Sequence, residues 1–224
     1  MRSAPTITLP ARLDKPGVNA VYKRVAPIYD LWGALTETRA RALCLEWAAI
    51  RDGETVLEVA VGTGLTFAAI LKRNPSGRNE GVDLTPAMLE RAKHRAAATG
   101  AQNCHLSQGD AYALDYADST FDVVVNNFMF DLLPEQDFAT VLAEFKRVLR
   151  PGGRLVLVNM AHSERWYNRL WEVVYKINPA WVGGCREVTL PGPMQALGFI
   201  ELRREFLSQL TFPAEVVYGI KPKE

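Results

Sequence analysis

Hydrophobic positions along the chain follow two alternating patterns. Short apolar runs rich in β-branched residues, each bounded by turn residues, predict buried strands. Between them, apolar residues recur at every third or fourth position, as in amphipathic helices. An alternation of strands and helices predicts an α/β fold with a mostly parallel sheet and helices on both faces. The predicted strands are residues 55–60, 80–84, 104–108, 119–127, 154–159, 200–207 and 211–220; the predicted helices are 18–31 (broken at Pro27), 36–50, 65–72, 86–99, 135–149 and a short one near 191–199. Thr36 is expected to cap the second helix, and Pro151-Gly152-Gly153 to form a sharp turn from helix 135–149 into the fifth strand.

The segment 55–64, TVLEVAVGTG, passes from a strand through a glycine turn into a helix. Glycines let the backbone N–H groups of such a turn approach a ligand closely. Open α/β sheets bind ligands at the C-terminal ends of their strands. The turn Gly62–Gly64 is therefore the predicted floor of a ligand site, with the acidic Glu58 near the end of the strand.

The glycine pattern separates two classes of cofactor. The dinucleotide pattern G-x-G-x-x-G would require glycine where Phe67 stands, which disfavours a nicotinamide-dependent oxidoreductase. The frame from Glu58 instead resembles motif I of the class I S-adenosylmethionine (SAM) methyltransferases, commonly E/D-x-G-x-G-x-G, with Ala60 at the first glycine. The segments GVDLTPAMLERAK and LRPGGRLVLVN also resemble that family, in its ubiquinone/menaquinone and phospholipid N-methyltransferase branches.

This resemblance covers roughly residues 20–160 and implies a Rossmann-like seven-stranded sheet with a C-terminal antiparallel hairpin. It implies SAM as the cofactor and S-adenosylhomocysteine as the product. Asp83 ends the second strand, where a carboxylate can accept hydrogen bonds from ribose hydroxyls. In the family, the residues matching Asp110 and Ala111 hold the adenine. The predicted cofactor-binding residues are Tyr22, Tyr29, Glu58, Ala60, Gly62, Thr63, Gly64, Asp83, Leu84, Met88, Asp110, Ala111, Asn126, Asn127 and Phe128.

The chain is predicted to be one methyltransferase domain, residues 18–224, preceded by a flexible arm, residues 1–17. Within residues 18–50, the stretch YKRVAPIYD resembles a segment that precedes motif I in the family. It is expected either to close over SAM as a lid or to pack on the sheet as an amphipathic helix.

Residues 162–190 are predicted to be an insertion on the acceptor side of the domain. Their tryptophans, tyrosines and basic residues fit either a bilayer interface or a helix packed on the core with its basic side in water. The predicted substrate residues are Trp166, Trp171 and Arg186.

The methyl acceptor is expected to be small and lipophilic, a quinol or a phospholipid. Methylation of a small amine or thiol, and SAM binding without catalysis, are the alternatives. Asn159-Met160-Ala161 replaces the Glu-Phe-Ser of the quinone branch, whereas an Asn after the fifth strand matches the phospholipid branch. The catalytic residue is unknown, and Tyr29, Asp131 and His162 are candidates by position alone.

Composition limits the remaining partners. A net charge of +1 gives no electrostatic case for nucleic acid. The three cysteines lack metal-ligand spacing and a disulfide pattern, so we expect no metal and a reducing, cytoplasmic compartment. Because no apolar run reaches the ~20 residues of a membrane span, membrane contact is expected to be at most peripheral.

Overall fold

A computed structural model describes residues 33, 35–178 and 185–223, and a mixed sheet runs through them. Its seven strands within the described residues have the order β3-β2-β1-β4-β5-β7-β6. Strands β1 to β5 pair in parallel, and β7 is antiparallel to both β5 and β6. The strands are β1 Thr55–Val59, β2 Arg78–Asp83, β3 Cys104–Gln108, β4 Phe121–Asn127, β5 Leu149–Met160, β6 Ile200–Gln209 and β7 Phe212–Ile220.

Helices cover both faces of the sheet, as the sequence pattern predicts. They are α1 Thr38–Ala48, α2 Leu65–Arg73, α3 Pro86–Ala98, α4 Phe138–Val148, α5 Arg169–Ile177 and α6 Pro191–Ala196, with 3₁₀ turns at Phe130–Leu132, Glu135–Asp137 and Trp166–Asn168. The apolar stripe of α4 packs with Leu57 and Leu155 on one face. The apolar stripe of α1 packs with Val56 and Val156 on the other. A parallel sheet needs this double cover because both of its faces are apolar.

The strand order reverses direction at β1, which pairs with β2 on one side and β4 on the other. The connections that leave β1 and β4 therefore run to opposite sides and open a crevice at the C-terminal edge of the sheet. The turn after β1 lies at this point, as expected from segment 55–64.

The predicted fold is confirmed, with two local differences. Helix α1 begins at Thr38 with Glu37 as its N-cap and without a side-chain capping bond, so the predicted cap at Thr36 is wrong. The Pro-Gly-Gly segment does not form a turn between helix and strand, because β5 begins at Leu149, directly after α4. Instead, the segment bulges out of β5: the pairing with β4 steps from Phe121–Leu149 to Val123–Arg154, and Gly152 has φ of 77°. Gly152 N–H donates to Lys221 O over 2.8 Å, and Gly153 O accepts from Lys221 N–H over 2.9 Å.

The predicted arm, residues 1–17, and the predicted lid around Tyr22 and Tyr29 lie outside the described residues. All three cysteines lie inside them, and none forms a disulfide. No helix of the described residues is long and apolar enough to cross a membrane.

Ala60, the residue that follows β1, has a left-handed backbone with φ of 57°. This conformation costs an L-residue ~1–2 kcal/mol because Cβ approaches the following carbonyl oxygen. Ala60 therefore carries strain at the position where the family resemblance has glycine.

Replacing Ala60 with glycine should raise the free energy of unfolding by about 0.5–1 kcal/mol, because the relieved strain exceeds the extra entropy of glycine in the unfolded chain. Urea unfolding measures this change. The matched control is Ala97→Gly, at an exposed position inside α3, which should lose about 1 kcal/mol. An Ala60→Gly protein less stable than the wild type would refute the strain at this position.

Candidate functional site

A cavity of about 340 Å³ lies at the C-terminal ends of β1, β2 and β4. One side is formed by the turns after β1 and β2, and the other by the segment after β4. Its lining consists of Val59, Ala60, Gly62, Val82, Asp83, Leu84, Thr85, Met88, Gly109, Asp110, Ala111, Tyr112, Asn127, Phe128, Met129, Leu132, Leu133, Pro134 and Asp137.

The carboxylate of Asp83 joins two of the turns that line the cavity. Its Oδ2 accepts a hydrogen bond from Gly62 N–H over 2.7 Å, and its Oδ1 accepts one from Thr85 N–H over 2.8 Å. Burial raises the pKa of Asp83, and the two N–H donors act against that shift. The Thr85 side chain is a third donor to the carboxylate, which has about four lone-pair sites in all, so the group can still accept from a ligand hydroxyl.

The residues after β3 also line the cavity. Gly109 N–H donates to the carbonyl oxygen of Asp83 over 3.1 Å, and Tyr112 N–H donates to Asp110 Oδ1 over 3.1 Å. The Tyr112 hydroxyl donates to Asp137 Oδ2 over 2.7 Å. This last bond ties the end of β3 to the segment that precedes α4, so the cavity has a continuous rim there.

Glu58 lies behind the cavity and is linked to it through Asn127. Asn127 Nδ2 donates over 3.4 Å both to Glu58 Oε1 and to Thr66 Oγ1. Glu58 is 2% exposed, and burial raises its pKa well above the ordinary value. Its Oε2 is buried and has no hydrogen-bond partner among the described residues. A cation placed next to Asn127 would therefore compensate this carboxylate.

The glycines of the β1 turn have different roles. Gly62 lines the cavity, has φ of 54°, and has open space where a Cβ would lie. Gly64 has φ of 81°, and a Cβ there would lie 2.9 Å from Ala92 Cα. Gly64 therefore allows the turn to pack closely on α3. The carbonyl oxygen of Thr63 accepts a hydrogen bond from the Arg95 guanidinium on the same helix.

The structure brings most of the predicted cofactor residues together. Those in the cavity lining are Ala60, Gly62, Asp83, Leu84, Met88, Asp110, Ala111, Asn127 and Phe128. Glu58, Thr63, Gly64 and Asn126 lie outside the lining, and Asn126 Nδ2 donates to Val59 O over 2.8 Å. Contact of each residue with a ligand stays a prediction.

Sequence reasoning missed two parts of the lining. Thr85 and Tyr112 line the cavity, and each follows a predicted acidic site residue by two positions. Their closeness to the strand ends could therefore have predicted that they belong to the site. Leu132, Leu133, Pro134 and Asp137 lie at or after the 3₁₀ turn that follows β4, and no periodic pattern marks them as part of the site.

Asp131 and Arg186 lie beside the cavity wall formed by residues 129–134. Asp131 is fully buried, and its Oδ2 accepts from Met160 N–H over 3.1 Å. Its backbone oxygen accepts from Arg186 N–H over 3.2 Å. The guanidinium of Arg186 donates from Nη2 to the carbonyl oxygen of Leu133 and lies 5.8 Å from the Phe138 ring centroid. Burial raises the pKa of Asp131 to about 7.

His162, another catalytic candidate, follows β5 and does not line the cavity. Its Nδ1 lies 2.9 Å from Glu187 Oε2, and the Ser163 hydroxyl donates to Glu187 Oε1 over 2.9 Å. The third candidate, Tyr29, lies outside the described residues.

Neither of the predicted substrate tryptophans lines the cavity. Trp166 is 84% exposed. Trp171 packs edge-on against Phe212, with ring centroids 5.5 Å apart. The ring centroids of Phe212 and Phe128 are 6.1 Å apart, and Phe128 lines the cavity. The rings of Phe212 and Phe128 therefore lie between Trp171 and the cavity. Arg186 lies outside the lining and contacts its wall through Leu133.

No group of three or more His, Cys, Asp or Glu side chains that could hold a metal ion occurs within the described residues.

Comparison with known proteins is consistent with this geometry. Residues 56–153 match a family model described as a methyltransferase domain. The chain is 37% identical over 158 residues to a ubiquinone/menaquinone biosynthesis C-methyltransferase (UbiE) of Paracoccus denitrificans, covering 67% of this chain and 62% of that protein. It is 31% identical over 180 residues to a demethylmenaquinone methyltransferase of Lactobacillus johnsonii, covering 77% of this chain and 73% of the relative.

Solved structures share the fold at lower identity. The [4+2]-cyclase SpnF has a TM-score of 0.74 and 17% identity, with 97% of this chain and 100% of that chain covered. The YcgJ protein from Bacillus subtilis has a TM-score of 0.68 and 20% identity, with 83% and 99% covered. The alignment spans only about six tenths of the Paracoccus relative, whereas it covers nearly three quarters of the Lactobacillus one. On these matches, the chain belongs to the class I methyltransferase family that includes the ubiquinone/menaquinone C-methyltransferases and the demethylmenaquinone methyltransferases.

Proposed function

We propose that the chain binds SAM in the cavity and transfers its methyl group to a ring carbon of a lipophilic quinol. The observation that carries this proposal is the cavity at the point where the strand order reverses, with Asp83 and Asp110 on its lining and Glu58 behind Asn127. One SAM molecule has a hydroxylated, a heteroaromatic and a cationic part, and these match the three acidic positions.

Each part of SAM has a partner in this arrangement. A ribose hydroxyl donates to Asp83, whose carboxylate keeps an acceptor site beyond its bonds from Gly62 and Thr85. The adenine lies beside Asp110 and Ala111. The ammonium group lies beside Asn127, where it compensates the unpaired Oε2 of Glu58.

The cofactor supplies a sulfonium-bound methyl group that is open to in-line displacement. The chain contributes by holding the acceptor carbon in line with that methyl and by excluding water. Phe128, Met129, Leu132 and Leu133 make the wall after β4 apolar, which suits a flat, apolar acceptor.

The names of the relatives favour a quinol over the other acceptors. The Paracoccus relative is named as a C-methyltransferase of ubiquinone and menaquinone biosynthesis, and the Lactobacillus relative as a demethylmenaquinone methyltransferase. The alternative of a nicotinamide-dependent oxidoreductase gains no support, because Phe67 is buried and packs with Val61 and Leu89 in an apolar cluster between α2 and α3.

A stripe on α5 and the turn before it supports a lipophilic acceptor that is taken from a membrane surface. Four large apolar side chains are exposed there, namely Trp166, Leu170, Val173 and Ile177. Their spacing places the last three on one face of the helix, opposite Trp171 and Tyr175, which pack inward. Arg165 and Lys176 flank the stripe and suit an anionic lipid surface.

Product analysis tests the reaction. The protein should convert SAM and a reduced 1,4-naphthoquinone with a short prenyl chain into S-adenosylhomocysteine and a quinol methylated on a ring carbon. Mass spectrometry detects the added methyl group, and proton NMR assigns its position. The oxidised quinone and the dimethyl ether of the quinol are controls and should not react.

Methylation of phosphatidylethanolamine, or of a small amine or thiol, in the same assay in place of the quinol would contradict the quinol proposal. Binding of S-adenosylhomocysteine without turnover of any of these acceptors would favour SAM binding without catalysis.

Vesicle flotation tests the α5 stripe. The double variant Leu170→Glu/Ile177→Glu should partition into anionic phosphatidylglycerol vesicles at least about tenfold less than the wild type, since each lost apolar side chain removes ~1.5 kcal/mol or more of burial. The matched control is Leu210→Glu, at an exposed leucine between β6 and β7. Membrane contact through this stripe would be refuted if the double variant floated with the vesicles as much as the wild type does. It would also be refuted if the wild type did not bind the vesicles and sedimented as a dimer.

A further inference from the structure

A hydrogen bond between two lining residues closes the end of the cavity next to Asp110. The Tyr112 hydroxyl donates to Asp137 Oδ2 over 2.7 Å, and both residues line the cavity. Tyr112 belongs to the loop after β3, whereas Asp137 belongs to the 3₁₀ turn before α4. Because β2 and β1 separate β3 from β4 in the sheet, this bond joins two segments that the strands themselves do not connect.

The Tyr112 hydroxyl acts as a donor in this bond. Burial raises the pKa of Tyr112, and the bond to Asp137 and the charges of Asp137 and Asp110 raise it further. The hydroxyl therefore stays protonated near neutral pH. Hydrogen bonds to a carboxylate are stronger than those between neutral groups, so this bond is a firm connection across the end of the cavity.

The loop after β3 is fixed to α4 at further points. Leu114 N–H donates to Glu144 Oε1 over 2.7 Å. The guanidinium of Arg147 donates to Leu114 O over 3.0 Å and to Tyr116 O over 2.7 Å. Glu144 and Arg147 both lie on α4, the helix that Asp137 precedes. To move away from α4, this loop would have to break several hydrogen bonds at once, so it forms a stiff wall.

The same wall includes the residues that the proposed function places beside adenine. Tyr112 N–H donates to Asp110 Oδ1 over 3.1 Å, and Ala113 N–H donates to Asp110 O over 3.1 Å. These bonds fold the chain into a tight turn. Ala111 and Tyr112 are partly buried and pack on the apolar core beneath α4. The turn therefore holds Asp110, Ala111 and Tyr112 next to one another along one edge of the cavity.

The order of these residues corresponds to the order of atoms on one edge of adenine. The exocyclic amine is a donor and suits a carboxylate such as that of Asp110, and the ring nitrogen beside it is an acceptor and suits a backbone N–H, as at Ala111. The next atom on that edge is carbon 2, which carries only hydrogen. Tyr112 follows Ala111 directly and is the residue beside that carbon.

We propose that Tyr112 and Asp137 determine the specificity for the base of the cofactor, because their hydrogen bond excludes any large substituent at carbon 2 of the purine. This inference rests on the proposed function and adds the chemical class of nucleoside that the site accepts. Discrimination against a larger ligand is achieved most directly by a steric clash with a wall that does not yield.

Calorimetric titration with S-adenosylhomocysteine and its 2-phenyl analogue tests the wall. The wild type should bind the 2-phenyl analogue at least about 100-fold more weakly than S-adenosylhomocysteine, since the phenyl group meets the Tyr112 ring. Tyr112→Ala removes that ring. In this variant the difference between the two compounds should fall to within about fivefold, because the phenyl group fills the vacated space.

Three further variants test the hydrogen bond separately from the ring. Tyr112→Phe and Asp137→Ala each remove the bond and keep the rest of the wall, so each should reduce the discrimination at least about tenfold. Asp137→Asn keeps an oxygen that can accept from Tyr112 and should discriminate within about threefold of the wild type. The Asp137 side chain makes no capping hydrogen bond to α4, so neither change at this position removes one.

Tyr116→Phe is the matched control. Tyr116 lies on the same loop but outside the cavity lining, and its hydroxyl donates to Glu80 Oε2 over 3.2 Å. This variant removes a bond of the same kind, from a tyrosine to a carboxylate, away from the ligand. It should bind both compounds as the wild type does.

The ratio of the two affinities distinguishes a specificity role from a structural one. If the bond only stabilised the loop, Tyr112→Phe would weaken the binding of both compounds equally and leave their ratio at the wild-type value. That result would overturn the proposal. The ratio compares two ligands on one protein, and Asp137→Ala gives the same readout if Tyr112→Ala does not fold.

Two other results would overturn the wall: a wild type that binds the 2-phenyl analogue as tightly as S-adenosylhomocysteine, or folded Tyr112→Ala and Asp137→Ala proteins that keep the full discrimination. In both cases S-adenosylhomocysteine still binds, and the proposed function stands without the wall. A folded wild type that binds neither compound would instead refute the proposed function.

Discussion

The two hydrogen bonds to the carboxylate of Asp83 are the interaction on which the candidate site depends. They join the glycine turn after β1 to the start of α3. Hydrogen bonds to a charged group contribute about 1.5–3 kcal/mol each, more than neutral ones. Because Asp83 is only 7% exposed, this carboxylate is shielded from water and sets the distance between two of the turns that line the cavity.

The C-terminal edge of the sheet carries polar groups, whereas the interior of the sheet is apolar. Strands β1, β4 and β5 bring Leu57, Val124 and Leu155 into one closely packed apolar layer. At the C-terminal edge of the same sheet, Glu58 on β1, Asp83 on β2 and Asp131 after β4 are buried acids, and burial raises the pKa of each of them. Groups of this kind are unfavourable for folding alone and are typical of functional sites. The apolar core thus supplies the stability that allows Glu58, Asp83 and Asp131 to be held there.

The fold was predictable because local patterns determine it. The β-branched runs, the glycine turn and the acids at strand ends place Asp83 and Asp110 at one edge of the sheet once the strands are parallel. The sequence also predicts contact of Gly64 with the ligand, and this stays a prediction. The close packing of Gly64 on Ala92 could not be predicted from the sequence, since it depends on how α3 packs against the turn.

Other features depend on contacts between distant parts of the chain. Asp131 and Arg186 are 55 positions apart, and no periodicity connects them. The aromatic residues of 162–190 were predicted as one group. In the structure, Trp166 is exposed in the turn before α5, and the helical rotation of α5 separates the exposed Leu170 from Trp171, which packs on Phe212. Amino-acid composition alone does not predict which of these residues are exposed and which pack inward.

Calorimetric titration of S-adenosylhomocysteine into the wild type and into Asp83→Ala tests the central claim, that the cavity holds SAM through Asp83. The wild type should bind it, and Asp83→Ala should bind about tenfold or more weakly, since unpaired ribose hydroxyls cost ~1–3 kcal/mol. Asp118→Ala, which removes an exposed carboxylate paired with Arg147, should bind as the wild type does. A folded wild type that does not bind S-adenosylhomocysteine, or an Asp83→Ala protein with unchanged affinity, would contradict the claim.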